Sequence, residues 1–132
     1  MINIKDIQSG DYLRVNRDVC IKKGTIVEVR GIDADNRFEN HTGCASCHPL
    51  DDNQFDGGIW CDFLDPIPLT AEILEKNFPE PTDGLTWFPE EGGFNCHTYV
   101  PKCEINAFGI FTYVHQLQHA LRLCGIEKTI EL

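Results

Sequence analysis

Thr25-Ile26-Val27-Glu28-Val29 is the stretch on which the fold turns. Four of its five residues are β-branched, which stiffens the side chains and suits a pleated surface better than a helix. The strand expected from Thr25 to Ile32 has short neighbours of the same kind at Tyr12 to Val15 and Val19 to Ile21. Turn chemistry separates them at Ser9-Gly10-Asp11, Asn16-Arg17-Asp18, Lys22-Lys23-Gly24 and Asp33-Ala34-Asp35-Asn36. Several short strands at this spacing predict a small curved antiparallel sheet or barrel.

Beyond that front, Asn40 to Gly58 is polar, holds Gly43, Pro49, Gly57 and Gly58, and reads as a long loop. Ile59 to Leu64 resumes a strand, and Pro66-Ile67-Pro68 ends it because proline cannot donate to a ladder. Thr70 is placed to cap a helix from Ala71 to about Asn77, with Glu72 near its positive end. A linker-like stretch from Pro79 to Gly84 leads to strands expected over Leu85–Phe88, Phe94–Val100 and Cys103–Phe108, with Glu91-Gly92-Gly93 as the turn between the first two. The last helix has Thr112 as its cap, Tyr113 to Cys124 as its body and Gly125 as its stop. Val114, Leu117 and Leu121 lie on its apolar side, and His115, Gln118, His119 and Arg122 lie opposite. The predicted class is α+β, with a hairpin-rich rear part and two packed helices. At 132 residues one domain is expected, with a strand-rich part over 1–68 and a mixed part over 69–132.

Hydrophobic residues at 42% and charged residues at 24% are ordinary globular values. No apolar run reaches the ~20 residues that span a bilayer, and the opening Met1-Ile2-Asn3-Ile4-Lys5-Asp6 lacks the basic and apolar regions of a signal peptide. The expected compartment is the cytoplasm, where seven cysteines stay as thiols or metal ligands. The net charge of −10 is concentrated in the middle: from Phe38 to Pro101 twelve acids face the single Lys76. Such a segment repels phosphate backbones, which disfavours nucleic acid; it serves solubility first, and a partner with a basic surface is the sharper alternative.

Cys44-Ala45-Ser46-Cys47-His48 has the form of a haem c attachment site, but that haem is attached outside the cytoplasm. Zinc suits the pattern better, since Cys44 and Cys47 on a tight turn supply two thiolates, Cys61 a third, and His41 or His48 the fourth ligand. A zinc ribbon has a second Cys-x-x-Cys, which this chain lacks, so a free thiol pair is favoured and the zinc ligands stand as candidates. Cys96-His97 with Cys103 raises a thiol enzyme as an alternative, but adjacent strand residues point to opposite faces and cannot form a working pair, so buried structural cysteine is the expected reading. His115 and His119 have metal-binding spacing, but Gln116 stands where a zinc protease needs its glutamate. Asp51 to Gly57 has the opening of a calcium loop without the closing Glu. The polar side of the last helix, with His115, Gln116 and Gln118, is the candidate binding surface.

Two of these segments, Pro66-Ile67-Pro68-Leu69-Thr70 and Tyr113-Val114-His115-Gln116-Leu117-Gln118, occur in an order and spacing that resemble a family of small, uncharacterised proteins from Bacteroidales bacteria and their phages or other mobile elements. Gly10-Asp11-Tyr12-Leu13 is similar to that family's opening turn and strand. The chain departs from the pattern at Ala71, Ile73, Asn77-Phe78 and His119. The resemblance implies a mobile-element origin and a related fold, and it carries no catalytic residue. The expected function is that of a non-enzymatic accessory or binding protein with a protein or small-molecule ligand. The alternatives are a structural zinc domain, a thiol enzyme, or a phage counter-defence protein that masks a basic surface or sequesters a nucleotide signal.

Overall fold

A computed structural model describes residues 2–38, 41–51, 55–80, 85–98 and 110–132. They form two α-helices and eight strands in two antiparallel sheets, an α+β architecture. The chain divides into two compact units, Met1–Ile67 and Pro68–Leu132. The strand expected over Cys103–Phe108 lies outside the described residues. No helix among the described residues is long and apolar enough to cross a membrane.

In the first unit, strands β1 (Tyr12–Val15), β2 (Ile26–Phe38), β3 (His41–Pro49), β4 (Gly57–Trp60) and β5 (Leu64–Pro66) form one sheet in the order β4-β3-β2-β1-β5. The sheet is open, with β4 and β5 as its edges, so the barrel alternative does not hold. The strand expected over Thr25 to Ile32 is present but continues to Phe38 through the expected turn at Asp33 to Asn36; Val27 and Val29 are fully buried and belong to the core with Leu13, Val15, Ile59 and Leu64. Shifts in register between Val29 and Gly31 and between Asp33 and Arg37 mark bulges in β2, which bend a strand and increase its twist. Val19 to Ile21 forms a turn instead of a strand, closed by a hydrogen bond from Val19 N–H to the Ile21 carbonyl at 3.0 Å, with Ile21 buried.

The expected loop over residues 40–58 is largely strand. β3 pairs with β2 along one edge and with β4 along the other. Its buried face is built from Gly43, Ala45, Cys47 and Pro49, a period-two pattern in residues too small or too unusual in strands to register as apolar alternation. Gly43 has φ +106°, and a Cβ there would come within 3.0 Å of the Ile4 side chain.

In the second unit, helix α1 (Ala71–Asn77) starts where expected, with Thr70 Oγ1 accepting a hydrogen bond from Ile73 N–H at 3.3 Å. Strands β6 (Leu85–Glu90), β7 (Gly93–Thr98) and β8 (Ile110–Phe111) form the second sheet, and helix α2 spans Val114–Leu123. The cap of α2 lies one residue later than expected, at Tyr113, and Gln116 Oε1 accepts from the backbone N–H groups of Thr112 and Tyr113 at 2.8 and 3.0 Å. Gly125, at φ +69°, follows the helix as its stop. Gly93 is fixed by close approach, since a Cβ there would stand 2.2 Å from the Phe111 carbonyl oxygen. Asn77, at the end of α1 and 2% exposed, binds a distant stretch of backbone: its Nδ2 donates to the Ile73 and Glu131 carbonyls, and its Oδ1 accepts from Glu131 N–H.

Candidate functional site

β4 ends at Trp60, and the chain makes a 3-10 turn over Cys61–Phe63 before β5. The turn breaks strand alternation. Cys61 goes into the core at 2% exposure, while Asp62 and Phe63 reach His41 at the start of β3. His41 stacks on Trp60 with ring centres 4.8 Å apart and planes 11° from parallel, and it meets Phe63 edge-on at 5.1 Å. Its Nδ1 lies 2.9 Å from Asp62 Oδ2. An ionised carboxylate can only accept, so Nδ1 carries the proton.

A cation completes the ledge. The Arg17 guanidinium stands 4.2 Å from the centre of the Phe63 ring, and its Nε donates to Asn16 Oδ1 at 3.3 Å. Asn16 is tied to the same turn, its Nδ2 donating to the Asp62 carbonyl at 2.9 Å and to Asp65 Oδ1 at 3.0 Å. The Arg17 charge also acts on Asp65. Three aromatic rings, two carboxylates and a guanidinium therefore share one patch of the first unit. Sequence reading missed it because a continuous strand from Ile59 to Leu64 would put Trp60 and Phe63 on opposite faces. The paired aromatics flanking Asp62 were the available signal.

The residues expected to hold zinc are arranged differently from a knuckle. Cys44 and Cys47 are separated by paired, extended strand rather than by the tight turn that reading requires. Cys47 lies in the core and donates to the Ala45 carbonyl, whereas Cys44 is part-exposed opposite Trp60 on β4. Its sulfur lies where a Cβ on Gly58 would come within 2.7 Å. Cys44, Cys47 and Cys61 are near enough to influence one another electrostatically. His41 is engaged with Asp62, and His48 sits further along β3 opposite Glu28. No group of three or more His, Cys, Asp or Glu side chains among the described residues gathers as a metal site. The calcium-like stretch includes residues 52–54, which lie outside the described residues.

Cys44, Cys47, Cys61 and Cys96 are poor nucleophiles where they stand. Burial pushes Cys47 up to about 12, with Cys44 and Cys61 adding to the effect. Burial pushes Cys61 up to about 11, helped by Cys44 and Asp62, and raises Cys44 together with the Asp33 carboxylate. Cys96 is fully buried on β7 and pushed up to about 11 by that burial; Cys103 lies outside the described residues. Full burial places Cys96 as a core cysteine, the structural alternative to a nucleophile. His41 and Asp62 are arranged as a base and its orienting group, whereas Cys44 has its thiol raised by burial and by Asp33.

The polar side of α2 is not the exposed surface expected. His115 and Gln118 are only 5% and 7% exposed, and Gln116 is engaged as the helix cap. The His115 ring stacks on Tyr113 and meets His119 edge-on. α2 is buried around most of its circumference, and its exposed positions are Arg122 and Leu123. A helix covered on several sides buries polar residues that a one-sided amphipathic reading assigns to solvent. Comparison of the chain with protein-family models, with curated proteins and with solved structures finds no match.

Proposed function

We propose that the protein is a non-enzymatic binding protein of a bacterial mobile element or phage, and that its partner is a protein with a basic surface. The observation that carries this reading is the guanidinium already held on the ledge. Arg17 lies against the Phe63 ring beside Asn16 and the Asp62 and Asp65 carboxylates, a set that uses ring quadrupole, hydrogen bond and opposite charge together. The same chemistry accepts an arginine from another protein. The acid excess between Phe38 and Pro101 supplies a field that draws such a partner in. Burial raises the pKa of Cys44, Cys47, Cys61 and Cys96, which supports binding over thiol catalysis at those four positions. On a phage, masking a basic host surface would be counter-defence by the same contact.

The test uses the immobilised protein and two peptides of equal length, one rich in arginine and one rich in glutamate. The arginine peptide should bind and the glutamate peptide should not, with association slowing as salt rises. Phe63→Ala should weaken the arginine peptide by about two- to five-fold, the range of an exposed cation–π contact. Equal capture of both peptides, or binding indifferent to salt and to Phe63, would refute the reading.

A further inference from the structure

The second unit contains a concave surface that the ledge does not involve. The end of α1 and the start of β6 enclose a cleft of about 310 Å³. Phe78, Pro79, Leu85 and Trp87 are its apolar lining, and the acidic residues Glu75 and Glu80 also line it. Phe78 and Leu85 are fixed in place, at 2% and 1% exposure. Trp87 meets the Phe94 ring edge-on at 5.9 Å. Phe88, also part of the lining, is 56% exposed and has the His97 ring edge-on at 6.1 Å.

An apolar cleft with aromatic walls is a place where a side chain loses its water. The acids select which side chain. A carboxylate or a plain aliphatic group gains nothing from Glu75 and Glu80, and the first is repelled. An arginine fits both parts: its methylene stem lies against apolar walls, and its planar guanidinium meets an indole face and carboxylates together. The chain supplies its own example, since the Lys128 ammonium rests 5.2 Å from the centre of the Phe78 ring. We propose that this cleft is an interaction site that receives one arginine side chain of a protein partner. It rests on the reading of that partner as basic, and adds a second contact to the ledge.

The experiment is an NMR titration of the whole protein with three short blocked peptides that differ at one central residue: arginine, citrulline and norleucine. Citrulline keeps the shape of arginine without its charge. The arginine peptide should shift the amides of residues 75–80 and 85–88 and saturate, and citrulline and norleucine should bind there at least several-fold more weakly. Glu75→Gln should reduce the arginine affinity about two- to five-fold, as expected for one exposed charge, while leaving the remaining amide spectrum in place. Equal binding of arginine and citrulline, or no shifts at 75–80 and 85–88, would overturn the proposal. The ledge reports separately through residues 41 and 60–63. Shifts confined to the cleft would support this site and refute the ledge, and shifts confined to the ledge would do the reverse.

Discussion

Replacing Asn77 by alanine should release a part of the second unit that is remote from it in sequence. Asn77 makes three side-chain hydrogen bonds, at 2.8 Å to the Ile73 carbonyl, 2.7 Å to the Glu131 carbonyl and 2.8 Å from Glu131 N–H. The two to Glu131 imitate the pairing of a neighbouring strand, and Ile130 beside them is 3% exposed. A neutral hydrogen bond contributes about 1 kcal/mol net, and the Ile73 carbonyl retains other partners in the helix. The Glu131 side is exposed, so its freed backbone can turn to water instead of being stranded. The expected loss is therefore about 2 kcal/mol, with about 1.5–3 more if Ile130 leaves its site. Urea denaturation gives the total, and amide exchange locates it: Ile130 and Glu131 should exchange much faster while β1 and β2 stay protected. Asn77→Asp separates hydrogen bonding from packing, because a carboxylate of the same shape faces two carbonyl oxygens without a proton to donate. It should cost at least as much as alanine at neutral pH. A loss under about 0.5 kcal/mol for both, the usual surface range, or unchanged exchange at Ile130, would refute this account.

Four further outcomes are expected. Leu117 is fully buried, so Leu117→Ala should destabilise by about 2–5 kcal/mol in denaturant, and Gln118→Ala, at a buried position, should also register instead of being silent. With a thiol reagent near neutral pH, exposed Cys20 should react first, and Cys47, Cys61 and Cys96 should react only on unfolding. Because these three folded pKa values lie above the ordinary thiol value of 9.0, their contribution is complete below pH 9 and is lost as pH rises toward 11 to 12, so alkaline denaturation should be steep there. Protein purified without chelator should hold far less than one zinc per chain, and chelator should leave exchange over residues 41–61 unchanged; stoichiometric zinc would mean that the cysteines rearrange around it.

The elements legible in the sequence were those whose signals are local. Thr70 announces α1 because a hydroxyl at that place satisfies the backbone of the first turn, and it does so on Ile73. Val27 and Val29 announce β2 because branched side chains on alternate positions need one buried face. β3 was illegible because its inward face carries Gly43, Ala45, Cys47 and Pro49, and what makes it a strand is pairing with β2 and β4. The ledge was hidden for a related reason. A 3-10 turn of three residues decides that Trp60 and Phe63 meet the same imidazole, and no periodicity encodes that turn. Burial of His115 and Gln118 likewise depends on what surrounds α2, which its own sequence cannot specify.

Charge and ring contact govern different stages of the proposed encounter. Exposed acids act at a distance, but salt screens them beyond about 8 Å at physiological ionic strength. Ring faces and hydrogen bonds act only after contact and are much less sensitive to salt. Acids such as Asp51, exposed and outside the ledge, therefore belong to the rate of association, while Phe63 and Asp62 belong to the lifetime of the complex. A basic partner arriving by charge alone would leave as salt rises. One seated on Phe63 beside Asp62 and Asp65 would arrive more slowly in salt and depart at nearly the same rate. That division follows from where the groups stand: the acid excess is spread over the middle of the sequence, whereas His41, Trp60, Phe63 and Arg17 are held within ring-contact distance at one turn.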